Sequence, residues 1–166
     1  TLQIRAARLV ALFFCGIVEP NDSGGRGRSS LFLLEVVMTP AERLKGMTLL
    51  YVEDEDVARM AVGAFLKRQV GTLLMAKDGQ DGLEQFQMHH PDIVVSDLEM
   101  PVMNGMQMVH KMRELDNGTP IIITTAYDDE AHACPEADRV IIKPIMFNDL
   151  LASILDCIAE RAARAS

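Results

Sequence analysis

Basic residues are in the minority in this sequence, with 16 Lys and Arg against 24 Asp and Glu, a formal net charge of -8 and a pI near 4.9. Duplex DNA and anionic membranes are bound through a concentrated basic face. None is concentrated here, which argues against both as partners. Cysteine is scarce as well. Cys15, Cys134 and Cys157 are odd in number and far apart, with no CxxC pair and no clustered histidines. Neither a disulfide framework nor a zinc site is indicated, and a reducing, cytoplasmic compartment is expected. Long apolar runs are missing too. The segment "LVALFFCGIV", Leu9 to Val18, follows Arg5 and Arg8 much as the apolar part of a secretion signal would, but its ten residues are too few to span a bilayer. No small-x-small cleavage pattern follows it, so it reads as a short buried or partner-packed helix.

What is present fits one domain with an appendage, since 166 residues suffice for one substantial core and are short for two. Composition breaks at "EPNDSGGRGRSS", Glu19 to Ser30, where Gly, Ser, Asn, Asp and Pro leave no apolar period. Residues 1–46 therefore read as an N-terminal extension and linker. Near its end, "TPAERLKG" carries a helix start, with Thr39 as N-cap, Pro40 at the first helical position, Glu42 at the third and Gly46 as the stop. From Met47 onward short apolar runs alternate with segments of helical period, the sign of βαβ units and a parallel sheet. The runs cover 47–52, 71–76, 92–97, 120–126 and 139–144. Between them, Val57, Met60, Ala61, Ala64 and Phe65 share one helical face, as do Met106, Val109, Met112 and, less cleanly, Leu115. The last helix carries Leu150, Leu151, Ile154, Leu155 and Ile158. All of these stripes are assigned to core packing.

In an open parallel α/β sheet, ligands bind beyond the carboxyl ends of the strands, near the switch in strand order. Glu53 and Asp54 follow the first run, Asp97 ends the third, Thr124 and Thr125 the fourth, and Lys143 the fifth. Clustered carboxylates repel one another, and a hard cation such as Mg²⁺, which prefers oxygen ligands, relieves that repulsion. With Lys143 adding positive charge, the set suits a phosphoryl group, whose transfer needs oxygen charge neutralised. Asp97 is then the nucleophile that becomes an acyl phosphate, and Thr125 a donor to a phosphoryl oxygen. Taken singly, each element has a plainer explanation: an acidic pair is usually a solvated loop or a cap, as Asp56 is for the following helix, Thr-Thr is β-propensity, and Lys-Pro is a turn. Their arrival together at one edge reverses the odds.

These residues resemble the receiver domain of two-component response regulators: "LLYVEDE", "VVSDLEMPVMNG", "IIITTA" and "VIIKP" stand in family order with near-family spacing across about residues 47–163. The resemblance implies a flavodoxin-like three-layer sandwich, a doubly wound five-stranded parallel sheet in order 2-1-3-4-5 with five helices. It implies that Asp97 accepts phosphate from a histidine kinase or histidine phosphotransfer protein. Glu53, Asp54, Asp97 and the backbone carbonyl of Glu99 would then serve Mg²⁺, with Thr125 as switch hydroxyl and Lys143 as phosphate contact. Pro101 and Gly105 match the turn after the phosphorylation site, and a cis Lys143-Pro144 peptide is implied. Such a module is a phosphoacceptor and not an enzyme in the ordinary sense.

Three departures stand out. Only 18 positions separate Thr125 from Lys143, about one helical turn fewer than is usual in the family, and "YDDEAHACPEADR" places Pro135 where a helix should run. The fourth helix is therefore expected to be short or irregular. Val140 stands where receivers commonly carry Tyr or Phe, and Glu99 where the family tunes dephosphorylation. With no DNA-binding or catalytic segment after Asp149, output is expected through protein-protein contact, with homodimerisation left open. Two alternatives stay open: the receiver of a hybrid histidine kinase, with residues 8–37 a faint match to the close of a kinase ATP-binding domain, and a degenerate receiver that binds partners without phosphorylation. Met38 and Met47 also stand as plausible starts.

Overall fold

The computed structural model describes residues 39–128 and 134–165. By contacts the chain divides into two units, Thr1–Glu42 and Arg43–Ser166. The readings made on residues 1–38, including the apolar segment Leu9 to Val18, lie outside the described residues. Thr39 caps the short helix α1, Pro40–Leu44, as its sequence predicts. The Glu42 amide donates to Thr39 Oγ1 at 3.2 Å and the Thr39 amide to Glu42 Oε2 at 2.8 Å, so each satisfies a donor the other would leave orphaned.

Five strands follow: β1 Thr48–Val52, β2 Thr72–Ala76, β3 Ile93–Asp97, β4 Ile121–Thr125 and β5 Arg139–Ile142. They form one sheet in order β2-β1-β3-β4-β5, parallel throughout. The helices between and after them are α2 Asp56–Leu66, α3 Gly79–His89, α4 Gly105–Leu115 and α5 Phe147–Ala165. Side chains alternate across a strand. On β1, Leu50 and Val52 join Val94, Ile121, Ile123, Phe86, Met108 and Met112 in one core, over α3 and α4. Leu49 and Tyr51 join Ile93, Val95, Ile122, Leu66, Leu150 and Ile154 in the other, over α2 and α5. Every residue of β3 and β4 is buried, which explains their unbroken Val and Ile runs. Burying one Leu or Ile is worth about 1.5–3 kcal/mol, and a one-residue slip would exchange both faces of a strand, so the register is tightly held.

Two helical faces differ from expectation. In α2 four residues of the expected face, Val57, Met60, Ala61 and Ala64, are exposed, with Val57 at 74% and Met60 at 72%, while its Phe65 packs against the core and Val62, Gly63 and Leu66 are buried. The helix is apolar nearly all round, so periodicity alone did not fix which side meets the sheet. In α4, Leu115 is exposed and Met108 is buried with Val109 and Met112. The stripe read for α5 is borne out, with Leu150, Ile154 and Ile158 buried. Asp56 is the first residue of α2 and not its cap: Glu55 holds that position without a side-chain bond, while Asp56 pairs with Arg59.

Between β4 and β5, residues 129–133 lie outside the described residues, and with them part of the expected fourth helix. Cys134 to Asp138 make turns, with Pro135 in the first of them. Arg113 of α4 holds this stretch: Nε donates to the Glu136 carbonyl at 2.9 Å, Nη1 to the Thr119 carbonyl at 2.6 Å, and Nη2 pairs with Asp138 Oδ2 at 2.8 Å. One turn back along α4, His110 Nδ1 lies 3.0 Å from Glu136 Oε1. The hydrogen bond to Glu136, then its charge and that of Glu114, hold the His110 pKa above the ordinary value. A raised folded-state pKa means this contact stabilises the fold at acidic pH and is lost as the pH rises through that pKa. NMR titration is expected to place the His110 midpoint above the ordinary histidine value of about 6.5, and Glu136→Gln to lower it. A midpoint unmoved by Glu136→Gln would remove this clamp from the account.

Candidate functional site

The carboxyl edge of the sheet collects the charged residues. Glu53 and Asp54 follow β1, Asp97 is the last residue of β3, Thr125 the last of β4, and Lys143 follows β5. Carboxylate oxygens of Glu53, Asp54 and Asp97 lie within 4.8 Å of one another. Lys143 Nζ is 3.0 Å from Asp97 Oδ2 and 3.3 Å from Glu53 Oε2, so one ammonium spans two acids. Glu53 and Asp97 are buried and Asp54 is exposed. The backbone completes the frame: Leu98 N–H donates to Asp97 Oδ1 at 2.8 Å, and Lys143 N–H to the Thr125 carbonyl at 2.7 Å. Thr125 is buried and its Oγ1 accepts from Tyr127 N–H at 3.1 Å. Arg59 Nη1 donates to the carbonyls of Glu53 and Asp54 at 2.8 and 3.2 Å, fixing the turn that carries both acids.

The electrostatics follow from burial. Loss of water, then the nearby charge of Asp97, pushes the Glu53 pKa up, while Lys143 and the Tyr51 hydroxyl pull it down. Burial works to lower the Lys143 pKa, but the hydrogen bond and charge of Asp97 and the charge of Glu53 outweigh it, leaving a net rise. The cluster is thus short of positive charge, with three acids to one ammonium. That donor set, all oxygen and partly exposed, suits a hard divalent cation. A cleft of about 490 Å³ opens at this edge, lined by Asp54, Leu98, Glu99, Met100, Pro101, Asn104 and Met106.

Glycine is required where α4 leaves the strand end, because a Cβ on Gly105 would stand 2.5 Å from the Asp97 carbonyl oxygen and 2.9 Å from Leu98 Cα. Asn104 and Gln107 form a capping box, with Gln107 N–H donating to Asn104 Oδ1 at 2.9 Å and Asn104 N–H to Gln107 Oε1 at 3.3 Å. The Lys143-Pro144 peptide is cis, as the sequence implies. The edge also holds two residues that sequence reasoning passed over, Arg59 and Tyr51. Tyr51 looked like one more apolar strand residue; its signal was the two-residue spacing to Glu53, which puts both on one face of the chain.

A profile described as "Response regulator receiver domain" matches residues 49–155. The chain belongs to that family. The receiver is 36% identical over 110 residues to the response regulator ArlR of Staphylococcus aureus, an alignment covering 64% of this chain and 50% of ArlR. It is 29% identical over 120 residues to the Regulator of RpoS of Escherichia coli, covering 69% of this chain and 36% of that protein. The receiver thus spans between about a third and a half of these curated relatives. In fold it is similar to a CheY-like receiver domain protein from Methanospirillum hungatei, with TM-score 0.68, 22% identity and coverage of 72% of this chain and 98% of that one. A receiver domain from Clostridium thermocellum gives 0.66 at 23% identity, covering 70% and 98%. Receivers of this family are signalling modules of two-component systems, not enzymes of the ordinary kind.

Past Asp97 the receiver makes a tight turn. Met103 N–H donates to the Pro101 carbonyl at 2.8 Å across Val102, whose φ is 67°. This is a γ-turn built on a β-branched residue in the left-handed region, and Val102 is 83% exposed, so little packing offsets the cost. Replacement by Gly removes a penalty of about 1–2 kcal/mol and adds back part of it as backbone entropy. Val102→Gly is therefore expected to stabilise the receiver by about 0.5–1 kcal/mol in urea denaturation at unchanged slope. A loss of stability would show that Val102 is not strained.

Proposed function

We propose that this receiver is a phosphoacceptor, in which Asp97 takes a phosphoryl group from a phosphohistidine of a histidine kinase or phosphotransfer protein. The observation that carries this is the placement of Asp97 beside Glu53, Asp54 and the Lys143 ammonium. A carboxylate oxygen of Asp97 forms the new bond to phosphorus as the phosphorus–nitrogen bond of the donor breaks. The product is an acyl phosphate, and the donor imidazole leaves with its electron pair. Glu53, Asp54, Asp97 and the backbone carbonyl of Glu99 would hold Mg²⁺, which supplies charge neutralisation at the phosphoryl oxygens. Lys143 takes up negative charge on the same group, and Thr125 donates to a phosphoryl oxygen. Drawing Thr125 toward that oxygen distinguishes two states, and a ligand that binds them unequally shifts the equilibrium between them. Output then runs through protein contacts, in the cytoplasm, with residues 47–163 as the receiver and 1–46 as an appendage. Among the described residues no helix is long and apolar enough to cross a membrane.

Two measurements test this. Incubation with Mg²⁺ and acetyl phosphate is expected to give an acid-stable, hydroxylamine-labile adduct of one phosphoryl mass on Asp97, absent from Asp97→Asn. No Mg²⁺-dependent adduct would favour the phosphorylation-independent binding module instead. Lys143→Ala is expected to keep Mg²⁺ binding while losing the beryllofluoride-induced spectral change, and an unaltered change in that variant would remove Lys143 from the switch.

A further inference from the structure

We infer that Tyr51 is a positioning residue for the cation cluster: its hydroxyl holds the Glu53 carboxylate in the orientation the cluster needs. The inference rests on the Mg²⁺ site proposed above. Tyr51 is wholly buried at the centre of the sheet, on β1 between β2 and β3, packed in the core formed with α2 and α5. Its side chain and that of Glu53 lie on the same face of the chain, two residues apart. The hydroxyl donates to Glu53 Oε2 at 3.3 Å. That distance is long for O–H···O, as expected where one oxygen is shared: Lys143 Nζ reaches the same Oε2, also at 3.3 Å.

The two tethers differ in stiffness. Lys143 has a flexible four-carbon stem, is 29% exposed and divides its ammonium between Glu53 and Asp97. Tyr51 has two side-chain torsions, both locked by packing, and its hydroxyl meets Glu53 from the core side. Glu53 itself has three torsions to fix, so a rigid donor beneath it narrows the carboxylate's positions before any cation arrives. Groups behind a metal ligand commonly set its orientation and the site's affinity. Tyr51 adds such a group to the cluster of Glu53, Asp54 and Asp97 without touching the cation.

Orientation matters more for one cation than another, which separates positioning from simple packing. Mg²⁺ demands near-ideal octahedral geometry, whereas Ca²⁺ tolerates irregular sets of oxygens. Titration calorimetry of the full chain with Mg²⁺ and with Ca²⁺ is expected to show Tyr51→Phe weakening Mg²⁺ by about tenfold and Ca²⁺ far less. In a Glu53→Asp background, where the shorter carboxylate loses the hydroxyl, Tyr51→Phe is expected to leave the Mg²⁺/Ca²⁺ ratio unchanged. Equal weakening of both ions, or no change in either, overturns the role of Tyr51 while the Mg²⁺ site stands. Failure of the unaltered chain to bind Mg²⁺ overturns the site itself. A second measurement needs no change at Tyr51. The chain has two tyrosines, so Tyr127→Phe assigns the ¹³Cζ signal of Tyr51. That signal is expected to shift on saturation with Mg²⁺, and an unmoved signal counts against the inference.

Discussion

The ammonium of Lys143 set between Asp97 and Glu53 is the interaction on which the edge of this sheet depends. Two buried carboxylates cannot share a poorly hydrated site without a compensating charge, and the lysine supplies one at 3.0 and 3.3 Å. To be there it must come from β5, three strands away from β1 in the order β2-β1-β3-β4-β5. The fold therefore serves the charge balance. Parallel pairing aligns the carboxyl ends of all five strands, and the register that buries Val94, Val95 and Ile122 also sets the depth at which Asp97 emerges. Loss of the lysine would leave a net buried charge, a far larger cost than the loss of a surface pair.

The same constraint accounts for the local chemistry around it. β3 is buried along its full length, and the chain must turn away from Asp97 at once to leave that carboxylate reachable. Pro101 and the γ-turn at Val102 do so, and Gly105 lets α4 start against the strand end where any side chain would collide with backbone. On the opposite side Arg59 ties the carbonyls of Glu53 and Asp54 to the first turns of α2. Each device holds backbone near the cluster and leaves its carboxylates to the lysine and to whatever enters the cleft.

The strands were legible in the sequence because runs such as "DIVVSD" and "PIIITTA" are short, β-branched and bounded by turns, while their order was implied by the resemblance to receivers. The five runs read from sequence overlap the five observed strands, each differing by one or two residues at its ends. Residues Glu53, Asp54, Asp97, Thr125 and Lys143 were legible for a related reason: a polar residue closing an apolar run marks the sheet edge. Less was legible in the helices. The face of α2 was misread because Val57, Met60, Ala61, Ala64 and Phe65 form as good a stripe as Ala58, Val62 and Leu66, and only contact with the sheet chooses between them. Tyr51 and Arg59 escaped notice because a hydroxyl inside an apolar strand and a cation inside a helix acquire meaning only from their neighbours in space.

Coupling between the edge and the rest of the surface has unusual materials in this chain. Val140 on β5 is 45% exposed and, lacking a ring, has no hydroxyl or aromatic face with which to follow a movement of Thr125. The main chain offers a shorter route. Lys143 N–H donates to the Thr125 carbonyl at 2.7 Å, so the two strand ends that carry the proposed switch hydroxyl and the proposed phosphate contact are joined directly. Beyond them, Ile122 pairs with Arg139, and the Asp138 amide donates to the Ile121 carbonyl at 2.8 Å. Asp138 is in turn held by Arg113 of α4. A displacement at Thr125 is thus opposed on one side by a bond to Lys143 and on the other by the Arg113 clamp at the foot of β5.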